Sequence, residues 1–123
     1  MSSDAGQQRP QAVMRDAAGF AVVLCTTSEA QAGPLADALL AAGLIACANL
    51  VGPLESRYLW QGRAERSREM LLVMKTTRAR LAELSAAIVA AHEYDLPEIL
   101  ALPVESGLDA YLAWVAQACG GGR

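Results

Sequence analysis

The chain has 123 residues and a mass of 12.9 kDa, which fits one domain with one core, and 54% of its residues are hydrophobic. Its net charge of −3 and pI near 5.0 exclude a general affinity for nucleic acid, because neutralising phosphates needs clustered Lys and Arg. No apolar run reaches the roughly 18–20 residues of a membrane helix, and the first twenty residues lack the basic start and apolar centre of a secretory leader, so the expected setting is cytoplasmic, without membrane or nucleic-acid partners.

Residues 1–18 are polar and read as a flexible tail before a single domain over 19–119, with 120–123 as a second flexible tail. Phe20–Thr27 is a continuous apolar run of the kind a central strand shows when both faces are covered. Ser28 followed three residues later by Gln31 is a capping box, and Leu35, Leu39 and Ala42 recur near helical spacing until Gly43. A helix over Glu29–Ala42 follows, with its start moved to Gly33 if Pro34 cannot be held inside it.

Leu44–Trp60 is long for one flat strand and carries Gly52-Pro53, so a bulge or bend is expected between two collinear pieces. Gln61-Gly62 is a turn signal and Glu69–Lys75 is apolar, which makes Leu44–Thr76 a long β-hairpin whose tip passes beyond the domain. Arg57, Arg63, Arg66 and Arg68 alternate with Glu55, Glu65 and Glu69 there and read as a solvated hairpin surface. Thr77 caps a second helix with Leu81, Leu84 and Ile88 on one side. His92–Pro97 breaks that helix, Glu98–Val104 resumes a strand, and a short helix starts at Ser106 with Leu108, Tyr111, Leu112 and Val115 on its apolar side.

The order βαββαβ plus a C-terminal helix is the split βαβ pattern of a ferredoxin-like α+β domain. Both main helices pack on one face of a four-stranded antiparallel sheet. The other face is left bare although its strands are apolar at nearly every position. Association with sister copies, as a homotrimer, resolves that mismatch.

His92 is the only histidine and stands beside Glu93, Asp95 and Glu98, a set able to bind divalent ions. Hydrogen bonding at an interface and a plain structural role stand as alternatives. No Cys-x-x-Cys and no pair of histidines one helical turn apart supports a closed zinc site. The three cysteines, Cys25, Cys47 and Cys119, form no close pair and read as reduced thiols. Cys25 and Cys47 fall in strands, where a free thiol packs as a small apolar group, while a Cys47 thiolate would favour copper. Tyr58, Trp60, Tyr94, Tyr111 and Trp114 suit half-buried interfaces. The alternative is a cleft between subunits in which these rings, Lys75 and Glu98 receive a small anionic or polar ligand. The loop after the first strand, Thr26-Thr-Ser-Glu-Ala30, lacks the Arg of an acylphosphatase and the paired thiols of a copper chaperone, and no nucleophile triad is present, so the chain does not read as an enzyme.

Leu44-Ile-Ala-Cys-Ala-Asn49, Tyr58-Leu-Trp-Gln-Gly62, Leu72-Val-Met-Lys-Thr76, His92-Glu-Tyr-Asp-Leu-Pro-Glu98, Leu102-Pro-Val-Glu105 and Asp109-Ala-Tyr-Leu-Ala-Trp114 stand in the order seen in the CutA divalent-ion tolerance family, which the chain resembles over roughly residues 20–115. The resemblance implies a ferredoxin-like trimer whose long hairpins pair between subunits and which serves the response to metal ions. It also implies copper or another divalent cation as ligand and raises Cys47, and to a lesser degree Cys25, as copper contacts, so that Cys47, His92, Glu93 and Cys25 are together the metal candidates. The family usually reads His-Pro-Tyr, whereas Glu93 stands in the middle position here, removing a stiffening proline and adding a carboxylate.

Overall fold

The computed structural model describes residues 9–120. Its elements are β1 (Met14–Asp16), β2 (Phe20–Thr27), α1 (Glu29–Ala41), β3 (Cys47–Trp60), β4 (Arg63–Thr77), a 3₁₀ turn (Arg78–Arg80), α2 (Leu81–Ala91), β5 (Leu100–Pro103), β6 (Ser106–Leu108) and α3 (Asp109–Ala118). The main sheet has the order β3-β4-β2-β5 and every neighbour is antiparallel. This is the ferredoxin-like α+β arrangement expected from the element order.

Strand alternation decides which side chains meet the helices, because successive residues point to opposite faces. Val23 and Cys25 pair in register with Met74 and Leu72, and all four are buried against Leu35 and Leu39 of α1 and Leu84 and Ile88 of α2. The alternate residues form the second face. There Val22, Leu24, Leu71 and Val73 are only half-buried, and Val51, Leu100 and Leu102 are 48%, 55% and 45% exposed. Neither main helix covers this apolar face.

Several boundaries differ from the sequence reading. The tail expected through residue 18 ends earlier, because Met14–Asp16 pairs with Ser106–Leu108 and Ala17 is fully buried. Residues 1–8 and 121–123 of the two expected tails lie outside the described residues. The same pairing turns Ser106–Leu108 into a strand, so α3 starts at Asp109, whose N–H donates to the carbonyl of Val13 at 2.7 Å. Short β1 carries no internal apolar pattern, and its partner lies some ninety positions away. α1 keeps Pro34 inside and still begins at Glu29, fixed by Gln31 N–H donating to Ser28 Oγ at 3.2 Å. The missing proline N–H removes the helical bond to the carbonyl of Ala30, an exposed residue near the start of the helix.

β3 runs unbroken from Cys47, with one register shift between Val51 and Leu54. Gly52 there has φ 137° and a cis bond to Pro53. Gln61 and Gly62 have φ 51° and 79°, the paired left-handed conformation of a tight hairpin turn. β2 pairs with β4 only from Met70 onward, so the arm made by residues 54–69 has no third strand beside it and projects from the sheet. A smaller core of Ala17, Phe20, Ala46, Leu112, Val115 and Cys119 lies under α3.

Candidate functional site

α2 ends at His92, whose N–H donates to the carbonyl of Ile88 at 2.8 Å before the chain turns away. The imidazole is 8% exposed and both its nitrogens are engaged. Nδ1 accepts from the Tyr94 N–H at 3.0 Å, which leaves the proton on Nε2 to donate to the Thr26 carbonyl at 2.8 Å. His92 thus ties the loop to the end of β2 and presents no free ligand atom.

Gln31 reinforces the same junction. Its Oε1 accepts from Thr27 Oγ1 at 2.7 Å and from the Glu93 N–H at 3.3 Å, while Nε2 donates to the Ala91 carbonyl at 2.6 Å. The capping box is therefore half formed: Ser28 caps the helix, and the Gln31 side chain turns to the 92–98 loop. The Tyr94 ring packs on His92 with centroids 4.6 Å apart, and its hydroxyl donates to Glu69 Oε2 at 2.8 Å. Burial first, then the bond to Glu69 and its charge, raise the Tyr94 phenol above its ordinary value, so the phenol stays a donor.

Beside this junction lies a cavity of about 720 Å³ between the loop and the base of the hairpin arm. Glu69, Glu93, Asp95 and Glu98 line it, with Tyr58, Trp60, Tyr94 and Leu96 as apolar wall and Thr26, Ser56 and Arg57 as further polar groups. No Lys or Arg lies within 4 Å of any of the four carboxylates among the described residues, and Arg57 is held by Glu55 at 3.1 Å. The field inside favours cations and repels anions.

The cleft residues singled out in the sequence are split by the structure. Trp60, Tyr94 and Glu98 line the cavity, whereas Lys75 and Trp114 do not. Lys75 lies six positions along β4 from Glu69, about 20 Å at strand rise, and its Nζ donates to Asn49 Oδ1. The Trp114 ring packs on Tyr111 with centroids 5.6 Å apart. The four metal candidates are also not gathered in one subunit. Cys47 pairs with Lys75, while Thr26, the partner of His92, pairs with Leu71 four positions down the same strand, about 13 Å away. Cys25 is fully buried, and burial first, then Glu98 and Glu69, push its thiol up to about 11. Cys47 is half-buried with Sγ 4.0 Å from Tyr111 Oη, and burial first, then Cys47, push that phenol up to about 12. Among the described residues no three His, Cys, Asp or Glu side chains converge on a point that would hold a metal ion.

Sequence reasoning missed Glu69 and Gln31 as members of this site. Glu69 carried a signal, since it alternates with Leu71 and Val73 on one strand face and is an acid where the pattern calls for an apolar residue.

The family model of the CutA1 divalent ion tolerance protein matches residues 21–118. The chain belongs to the CutA1 family. A CutA1-family relative from Arabidopsis thaliana, the chloroplastic protein CutA, is 41% identical over 95 residues, covering 76% of this chain and 52% of its own length. The chain thus spans about half the length of that plant relative. The divalent-cation tolerance protein CutA of Thermus thermophilus is 39% identical over 80% of this chain and 96% of its own. The structure of CutA from Synechococcus elongatus superimposes with a TM-score of 0.82 at 34% identity, covering 87% of this chain and 96% of that one. The same cyanobacterial protein complexed with a Bis-Tris molecule gives 0.80 at 33% identity, with 86% and 99% covered. β1 precedes the residues that the CutA1 model matches, whereas its partner β6 lies within them.

Proposed function

We propose that the chain serves divalent-cation tolerance as a homotrimer and takes up divalent cations, copper among them, weakly at its acidic cavity, without a closed metal site. The observation that carries this is the cavity itself: four carboxylates, no basic partner, one buried member. The name of the Thermus relative supports the tolerance role. Copper is the first ion to test because, for a given donor set, it binds most tightly among the common first-row divalent metals. Trimer formation is supported by the bare apolar sheet face. The three free cysteines support a reducing compartment such as the cytoplasm.

Isothermal titration of the purified chain with copper tests the reading. Saturable heat is expected in the wild type and in His92→Ala, and weaker heat in Glu69→Gln. Absence of saturable heat in the wild type and in His92→Ala would remove metal binding from the account.

A second reading, a trimeric small-ligand sensor of PII-like architecture, is favoured by the size and aromatic wall of the cavity and by the Bis-Tris held by the cyanobacterial relative. The ligand expected from sequence was anionic or polar. The lining acids weigh against an anion and leave a polar or cationic molecule. A thermal shift that survives chelation supports this reading; a shift that chelator abolishes opposes it.

A further inference from the structure

The cavity between β4, the 93–98 loop and the hairpin arm carries a negative charge that no described group of this chain balances. Glu69 is 5% exposed, and its Oε2 accepts from the Tyr94 hydroxyl at 2.8 Å. Its second oxygen has no donor and no basic side chain within ion-pair distance among the described residues, and it is left open to the cavity that Glu69 lines. A buried carboxylate is ordinarily paired, because removing its charge from water is costly. Glu93, Asp95 and Glu98 stand around the same space, also without Lys or Arg. Arg57, the one basic residue there, is spent on Glu55.

The size and spacing of the site separate two kinds of cation. A tightly held metal ion needs several ligands at one point, and no three suitable side chains converge among the described residues, so a metal is held there only weakly. A volume of about 720 Å³ instead suits an extended organic molecule. Tyr58, Trp60 and Tyr94 supply ring faces that attract ammonium groups and apolar surface for the methylenes between them.

We propose that this cavity binds a linear diamine or polyamine, with Glu69 and Tyr94 receiving one ammonium group at the buried end and Glu93, Asp95 and Glu98 a second toward solvent. The proposal rests on the small-ligand reading and names the ligand class. Charge-assisted hydrogen bonds to Glu69 fix the amine, and the spacing between the acid groups selects its length.

Isothermal titration of the purified full chain with spermidine at physiological salt tests the proposal. Saturable heat is expected, weakened about tenfold or more in Glu69→Gln. Because Glu69→Gln alters a buried bond, the double variant Glu93→Gln, Glu98→Gln, whose residues are exposed, is titrated beside it, and a loss of about fivefold or more is expected. Glu83→Gln on α2, outside the cavity, leaves spermidine binding unchanged. Three results would overturn the proposal: no saturable heat with spermidine, equal weakening in Glu83→Gln, or copper heat that needs Glu69 while spermidine is silent. Should spermidine fail, a thermal-shift screen of neutral polyols and uncharged nucleosides separates the two ideas. A stabilising compound there preserves the sensor reading without the polyamine, and a silent screen removes both.

Discussion

Replacing His92 by Ala breaks two hydrogen bonds and leaves the Thr26 carbonyl and the Tyr94 N–H searching for partners. The expected cost is about 1–3 kcal/mol in denaturant unfolding, together with faster proteolysis near residue 93, because the ring is what ties the loop to β2. Cys25 gives a pH signature. Its thiol is raised from 9.0 to about 11, so the unfolded thiol loses its proton first. Stability is complete below pH 9 and falls between pH 9 and 11, by an amount on the order of 2 kcal/mol, which pH-dependent denaturation checks against Cys25→Ala. Alkylation at pH 8 should modify Cys47 before the buried Cys25. The chain order alone made His92 and its neighbouring acids visible as a cation-binding set. It did not show that the imidazole nitrogens are used up internally, because Thr26 is 66 residues away in sequence. Glu69 stayed hidden for a similar reason: its role depends on Tyr94, 25 residues on, folding back over the strand.

Among the elements, the hairpin is the one most strongly written in local residues. Gly52-Pro53 and Gln61-Gly62 announced the bulge and the turn, and both occur where glycine is required by positive φ. A Cβ at Gly52 would meet Leu54 N at 3.0 Å and Glu69 O at 3.1 Å, in addition to the strained backbone. Gly52→Ala should therefore cost about 1–3 kcal/mol and displace Glu69, and a spectroscopic melt together with loss of cation heat would register both effects. β1 shows the opposite case. Its three residues have no periodicity and are held by Ser106–Leu108 and by the Arg15 to Asp109 ion pair at 2.6 Å. Arg15→Ala should change stability by less than about 1 kcal/mol, because both partners are half-exposed. The helices were legible through their apolar spacing, and Pro34 falls in the N-terminal half of α1, where the helical bond it lacks belongs to the exposed residue Ala30.

At the scale of the whole molecule, the main helices and the sheet settle one face and leave the other apolar. Val22, Leu24, Leu71 and Val73 in the middle and Leu100 and Leu102 on β5 form an apolar surface whose removal from water would stabilise the subunit. The sequence disclosed this imbalance, since its strands are apolar on both sides while only two main helices exist to cover them. It did not disclose which residues line the cavity, because that depends on the hairpin arm and the loop meeting at one end of the sheet. Val73→Lys places a charge at the centre of the bare face and should disperse the assembly while leaving the helix-covered core intact. Sedimentation equilibrium of the unaltered chain at micromolar concentration is the most direct measurement. A mass three times the 12.9 kDa of the chain is the result predicted, falling to one chain in Val73→Lys; a well-folded 12.9 kDa species from the unaltered chain would contradict it.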